Sequence, residues 1–171
     1  MEQAEQDLLV LEAQSGNEKA FECLVIWFHP LLVKFATSLS GNSALAKDAV
    51  QDVWLQILKK LRRLEDPRAF KSWLFRAVRW RVIDLMRGKA MQFEALDDNG
   101  IEILPDHSEL EYRQLHQQIN RLGKLEREVI YLFYLVELTV AEAALVLEVP
   151  QGTVKSRLSR ARKQLQQMIK A

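Results

Sequence analysis

The stretch from Leu138 to Leu165, LTVAEAALVLEVPQGTVKSRLSRARKQL, limits the possible fold more than any other part of the chain. Its first half reads as a short apolar helix with a defined start. Thr139 and Glu142 stand three residues apart, so each side chain can satisfy a free backbone N–H at the helix N-terminus. Ala141, Ala144, Leu145 and Leu147 supply the expected apolar face. Glu148-Val149-Pro150 ends this helix, because proline disfavours helical geometry in the residue before it, and Gln151 or Thr153 can open the next. At helical spacing Val154, Leu158, Ala161 and Leu165 fall on one stripe, the expected buried side of the second helix. Its opposite side carries Ser156, Ser159, Arg160 and Lys163, flanked by Lys155, Arg157 and Arg162. A short helix, a tight turn and a basic helix suit the major groove of DNA: long cations reach phosphates or guanine edges, and small hydroxyls let the helix come close. A solvated basic face on an ordinary core helix would show the same residues, so the rest of the chain has to decide.

The net charge of the 171 residues is only +1, which argues against a nucleic-acid partner until its distribution is considered. Residues 67–89 carry seven Lys/Arg against one Asp/Glu, residues 90–111 none against seven, and residues 112–171 ten against five. Two basic blocks flank an acidic one, and either basic block can neutralise phosphates. The acidic segment Met91–Glu111, MQFEALDDNGIEILPDHSELE, contains Asn99-Gly100 and Pro105 and has no sustained helical period. A loop of that length is unusual inside one compact domain, so it reads as a linker. The expected architecture is all-α: two small helical domains, residues 1–90 and 111–171, joined by a flexible acidic linker over 91–110.

In the first domain, Glu2–Gln14 is expected to form a helix ended by Gly16, and Asn17 to cap a longer one. Phe21, Leu24, Phe28, Leu31, Leu32 and Phe35 give that second helix its apolar rhythm, and Pro30 predicts a kink or local break in it. After Ser40-Gly41-Asn42-Ser43, the residues Ala46, Val50, Val53, Ile57, Leu58 and Leu61 form the next apolar face, leaving Asp48, Gln51, Asp52, Leu55 and Gln56 displayed elsewhere. Asp66-Pro67 caps a fourth helix, about Arg68 to Arg87. There Phe70, Leu74, Ala77 and Leu85 are expected to face the core. On another side Trp73, Arg76, Arg79, Trp80, Ile83 and Arg87 interleave indoles with cations, an arrangement that can hold a backbone and stack on exposed bases. Trp73 lies next to the Phe70 face and fits either the core or the band. Arg81 has Asp84 three residues on, the spacing of a local ion pair.

Three of these blocks, in this order, carry a family resemblance: AKDAVQDVWLQILKKL at Ala46–Leu61, FKSWLFRAVRWRVIDLMR at Phe70–Arg87, and the stretch from Leu138, above all GTVKSRLSRAR at Gly152–Arg162. The chain resembles the extracytoplasmic-function group of sigma-70-type factors, which direct bacterial RNA polymerase to promoters, and the resemblance spans nearly its whole length. It implies that Asp48, Gln51, Asp52, Leu55 and Gln56 bind the clamp of the polymerase largest subunit. It also implies that Phe70, Trp73, Arg76, Arg79, Trp80, Ile83 and Arg87 contact and melt the minus-10 element. Lys155, Ser156, Ser159 and Arg160, with Thr153 and Lys163, would read the minus-35 element, and Arg157 and Arg162 would hold phosphates. The partners implied are core RNA polymerase, promoter DNA and an anti-sigma factor, often membrane-anchored; no cofactor and no small-molecule substrate are implied. Two positions depart from the family pattern. Trp80 stands where members often have Asn, and an indole cannot copy an amide's paired hydrogen bonds, so stacking is expected there. Glu148 stands where the turn often has Gly.

Other classes fit less of the chain. A helix-turn-helix regulator binding a palindrome as a dimer would explain the C-terminal half, but not the Trp/Arg band or the surface around Asp48. An enzyme lacks its constellations: His29, His107 and His116 have no metal-like spacing, and no Gly-rich phosphate loop or paired nucleophile and base appears. No apolar run is expected to span a membrane, and the acidic start MEQAEQD is unlike a signal peptide, so a cytoplasmic location is expected. Cys23, the single cysteine, is expected to be a buried structural thiol.

Overall fold

The computed structural model describes residues 1–92 and 117–170. The chain divides into two compact units, with the division between Gly100 and Ile101. The described residues are helical throughout, apart from turns. Most of the expected linker, from residue 93 onward, lies outside them.

Unit 1 contains α1 (Gln3–Gln14), α2 (Glu18–Ser40), α3 (Ser43–Lys60) and α4 (Phe70–Gln92), with short 3-10 turns at Leu61–Arg63 and Pro67–Ala69. The boundaries follow local chemistry. The Asn17 side chain accepts from Ala20 N–H and the Asn42 side chain from Leu45 N–H, capping α2 and α3. Between those helices Gly41 adopts φ 66°, a left-handed C-cap that glycine takes without a Cβ penalty. The expected cap at Asp66 is present, its side chain accepting from Arg68 N–H. The three residues after it form a 3-10 turn, so α4 begins at Phe70 rather than Arg68. Gln14 Nε2 donates to the carbonyls of Leu61 (2.9 Å) and Leu64 (2.7 Å), fastening α1 to the turn that follows α3.

The core of unit 1 is built on α2, whose Leu24, Phe28, Leu32, Phe35 and Ala36 are buried. Phe28 meets Phe70 edge-on at 5.8 Å, and Phe35 meets Phe75 in the same way at 5.5 Å. Truncating any one of these four rings to alanine is expected to destabilise the unit by about 3–5 kcal/mol, through lost transfer energy plus a cavity; chemical denaturation measures it.

Several expectations fail here, each for an identifiable reason. Of the kink or local break expected at Pro30, the break is absent: the helix is continuous from Glu18 to Ser40. Pro30 and Ile26, whose carbonyl loses its helical donor, are both exposed, so water can replace the missing bond. In α3, Leu58 is 58% exposed, and the buried face is carried instead by Leu45, Ala46, Ala49, Val50, Val53, Trp54 and Ile57. In α4, Phe75, Val78 and Val82 join Phe70 and Leu74 in the core, whereas Ala77 and Leu85 are only half-buried. Cys23 is exposed, on the side of α2 turned away from Leu24 and Phe28. By length and composition α2 could cross a membrane, contrary to the expectation, but the buried core helix of a globular unit passes the same test.

The described part of unit 2 opens with a helical turn at residues 117–120. It continues as α5 (Lys124–Ile130), which widens into a π-helical turn at Tyr131–Leu135, then α6 (Val140–Leu147) and α7 (Gln151–Lys170). The capping box is complete: Thr139 accepts from Glu142 N–H, and the Glu142 carboxylate accepts from Thr139 N–H at 2.7 Å. The buried face of α6 is Ala143, Ala144, Val146 and Leu147, not Ala141 and Leu145, which are exposed. On α7, Val154, Leu158 and Ala161 are buried as expected, and Leu165 is half-buried.

Glu148 ends α6 at φ 55°, ψ 45°, and Val149 N–H reaches back to the Ala144 carbonyl at 3.1 Å. A left-handed residue at this cap favours glycine, because a Cβ crowds the following carbonyl. Glu148→Gly is therefore expected to stabilise unit 2 by about 1 kcal/mol. A denaturant midpoint that is unchanged or lower would contradict the strain.

Candidate nucleic-acid and protein interfaces

Three surfaces remain once the two cores are assembled. The first is the outer side of α7. Its apolar stripe is held against the rest of unit 2, so Lys155, Ser156, Ser159, Arg160 and Lys163 are exposed, while Thr153 and Arg157 are half-buried. Ser156 Oγ donates to the Thr153 carbonyl at 3.0 Å, which holds the hydroxyl close to the helix and keeps the face low. Arg160 comes within 3.7 Å of Glu126 in α5, a loose pairing on an exposed guanidinium. Arg162 is more firmly engaged: Nε donates to the Tyr134 hydroxyl at 2.7 Å, and the guanidinium lies over the rings of both Phe133 and Tyr134. The aromatic run at Tyr131–Tyr134 was the only sequence signal for this contact, since it joins residues 28 apart.

The second surface lies along α4. Trp73, Arg76, Trp80, Ile83 and Arg87 recur at alternating steps of three and four residues, with Arg79 beside them. Arg76 and Arg87 are exposed, Trp80 is 47% exposed, and Trp73, Arg79 and Ile83 are half-buried. An indole that keeps half its surface in water, flanked by cations, is a platform for a base. Phe70 does not belong to this surface. It is fully buried, edge-on to Phe28 and at 6.5 Å from Trp73, so it can set the Trp73 ring but cannot itself touch DNA.

The third surface is on α3. Asp48, Gln51, Leu55 and Gln56 are exposed, as expected from their positions off the core face. Asp52 is not a free carboxylate. Arg81 of α4 donates to it through Nε (2.9 Å) and Nη2 (2.7 Å), and to Asp84 through Nη1 (2.6 Å). The expected local Arg81–Asp84 pair is thus present, and Asp52 adds a cross-helix partner that spacing along one helix does not reveal. The Asp52 hydrogen bond raises the Arg81 pKa above its ordinary value, so the guanidinium keeps its charge and holds both carboxylates. Beside Gln51 and Leu55, α2 and α3 leave an apolar groove of about 390 Å³, walled by Phe21, Val25, Trp54 and Leu58. The Trp54 indole N–H is buried without a hydrogen-bond acceptor among the described residues. Those residues also contain no cluster of His, Cys, Asp and Glu able to hold a metal.

A helical unit with a Trp/Arg band, and a second with a capped helix-turn-helix, together describe a two-part reader of nucleic acid. Comparison with known proteins gives that description its family. Residues 24–91 match sigma-70 region 2, and residues 112–165 match sigma-70 region 4. The RNA polymerase sigma factor CnrH of Cupriavidus metallidurans is 30% identical over 179 residues, covering 96% of this chain and 94% of CnrH. The ECF sigma factor SigW of Bacillus subtilis is 24% identical, covering 94% of this chain and 95% of SigW. Among solved structures, CnrH bound to the cytosolic domain of CnrY has a TM-score of 0.69 at 28% identity, with 97% of both chains covered. The sigma factor RpoE bound to the anti-sigma factor NepR, from Bartonella quintana, has a TM-score of 0.76 at 29% identity, covering 90% of this chain and 98% of RpoE.

The chain belongs to the extracytoplasmic-function group of the sigma-70 family. It is an alternative sigma factor, a component that binds core RNA polymerase and directs transcription initiation, and the dimeric regulator is not favoured. Sigma factors of this kind are initiation factors rather than enzymes.

Proposed function

We propose a division of labour among the three surfaces. The α3 surface of Asp48, Gln51, Leu55 and Gln56, with the groove beside it, docks on the clamp of the polymerase largest subunit. Exposed Leu55 and Leu58 beside a carboxylate and two amides give the apolar centre and polar rim of a protein interface. Asp52 contributes at one remove, by binding Arg81 and so fixing α3 against α4. The α4 band of Trp73, Arg76, Arg79, Trp80, Ile83 and Arg87 captures the melted minus-10 strand, with cations on the backbone and Trp80 stacked on a base. In α7, Thr153, Lys155, Ser156, Ser159 and Arg160 read the minus-35 duplex, and Arg157 and Lys163 hold its phosphates. Residues 1–90 are the polymerase- and minus-10-binding domain, 111–171 the minus-35 domain, and 91–110 the link between them. The chain works in the cytoplasm, without a cofactor or catalytic residue. The observation that carries this reading is the half-exposed Trp80 in a cationic stripe on the side of α4 away from the core.

CnrH and RpoE are each solved with a bound partner, CnrY and the anti-sigma factor NepR; by the same logic an anti-sigma factor, membrane-anchored or soluble, holds this chain off the polymerase by covering its α3 surface until a signal arrives. Run-off transcription with purified core polymerase on genomic fragments tests the assignment. Wild-type protein is expected to give defined transcripts whose upstream DNA shares two spaced elements. Absence of defined transcripts would reject it.

A further inference from the structure

On the reading of α7 as the minus-35 helix, the structure assigns a new role to Tyr134 and Arg162. We infer that Tyr134, acting through Arg162, is a positioning residue that fixes the recognition helix for base readout, and that Arg162 is not a phosphate ligand. The apolar seam of α7 consists of Val154, Leu158 and the small Ala161, contacts that bury area without imposing direction. Direction comes from the next turn. The Arg162 guanidinium carbon lies 5.6 Å from the Tyr134 ring centroid and 5.9 Å from that of Phe133, within cation–π range, while Nε donates to the Tyr134 hydroxyl at 2.7 Å. Phe133 and Tyr134 are themselves edge-on at 5.0 Å.

Both rings come from the π turn, where Val136 N–H bonds to the Tyr131 carbonyl five residues back. Such turns are rare and recur at functional sites. The widened turn lets two consecutive aromatic side chains reach the same guanidinium. An oriented hydrogen bond combined with two ring contacts fixes the roll of α7 about its own axis, and so the angle at which Lys155, Ser156, Ser159 and Arg160 enter the groove. Arg162 is exposed, but with Nε donating to Tyr134 it loses the Nε–Nη2 fork by which a guanidinium grips a phosphate side-on.

The test uses holoenzyme reconstituted from the full chain and core polymerase, on a promoter mapped by run-off transcription. Binding is measured across a range of salt concentrations, to the cognate promoter and to one with a single base pair of the minus-35 element changed. Tyr134→Ala and Arg162→Ala are each expected to lower the preference for the cognate element about 5- to 10-fold. The double variant should be no worse than either single one, and the salt slope should stay that of wild type. Tyr134→Phe, which keeps the ring and loses the acceptor, should fall between wild type and Tyr134→Ala, and guards against a loss of fold. If Arg162→Ala flattens the salt slope by about one phosphate contact with the cognate preference intact, or if the Tyr134 variants match wild type, the proposal is overturned. Lys155→Ala serves as the control. If it discriminates as well as wild type, the minus-35 assignment itself fails, and the positioning role with it.

Discussion

Asp48→Arg is expected to weaken binding to core polymerase at least about 30-fold, the equivalent of about 2 kcal/mol for a residue central to an interface. The substitution places a cation on an exposed position of α3 next to the groove at Gln51 and Leu55, where a surface complementary to a carboxylate would meet it with repulsion. Because Asp48 is exposed, thermal stability should change little. Asp52 is a poorer probe, although it lies one turn away on the same helix. Its carboxylate is bonded twice by Arg81, so Asp52→Arg would also strip α4 of a tether and set two cations against each other. Leu55→Asp should reproduce the Asp48→Arg defect by a different chemistry, desolvating a charge in the apolar centre of the contact. Titration of labelled protein with core polymerase measures both. Wild-type affinity in both variants would remove α3 from the polymerase interface.

Trp80→Ala is expected to cost more on closed DNA than on opened DNA. Stacking of one base on an aromatic ring contributes about 1–3 kcal/mol, which corresponds to a loss of roughly 5- to 150-fold in open-complex formation on duplex promoters. If Trp80 holds a base that has left the helix, a template already mismatched across the minus-10 element supplies part of that opening beforehand, and transcription from it should recover substantially. Trp80→Asn separates stacking from amide recognition: stacking alone predicts that it behaves like the alanine variant, whereas a changed preference for minus-10 sequence would show that the site can use an amide. Equal defects of Trp80→Ala on duplex and mismatched templates would place the residue outside strand capture.

Much of this was legible before any coordinates. The Thr139–Glu142 box, the caps at Asn17 and Asp66, and the break at Pro150 are local chemistry and match the structure, whereas the local break expected at Pro30 is absent, because exposure lets water replace the lost bond. The buried stripe of α7 was also legible, because strongly polar residues surround it and leave one phase for the apolar side. Phase was lost where that contrast is missing. The α4 sequence FKSWLFRAVRWRVIDL has apolar residues on nearly every side, so periodicity alone could not choose Phe75, Val78 and Val82 over Ala77 and Leu85. The eight residues of α6 are too few to fix a wheel, and Leu145 was placed inside when Ala143 is. Cys23 lies between the apolar residues Phe21 and Leu24 in sequence, but neighbours one or two positions away on a helix do not share its face, and it is exposed.

The candidate surfaces show the same division. Exposure of Asp48, Gln51, Leu55 and Gln56 followed from their being off the apolar face of α3, and the Trp/Arg band from spacing along one helix. Pairings between helices did not follow. Arg81 was matched to Asp84 within its own helix, while its two bonds to Asp52 span 29 residues. Arg162, expected to hold a phosphate, also contacts Phe133 and Tyr134 across 28 residues, which no spacing along one helix reveals. Asp52, a carboxylate expected to be displayed off the core face, is bonded within the fold, and that changes which substitutions report on function.

The central claim is that core polymerase makes two small, separately weak DNA readers act together, by holding them at a fixed separation so that binding of one raises the effective concentration of the other. Footprinting of a mapped promoter by the full chain, with and without core polymerase, tests this most directly. The account predicts weak, strongly salt-dependent binding without a defined footprint for the chain alone, and a footprint spanning both the minus-35 and minus-10 elements when core polymerase is added. Tight binding of the chain alone to a symmetric site as a dimer, unchanged by core polymerase, would contradict it.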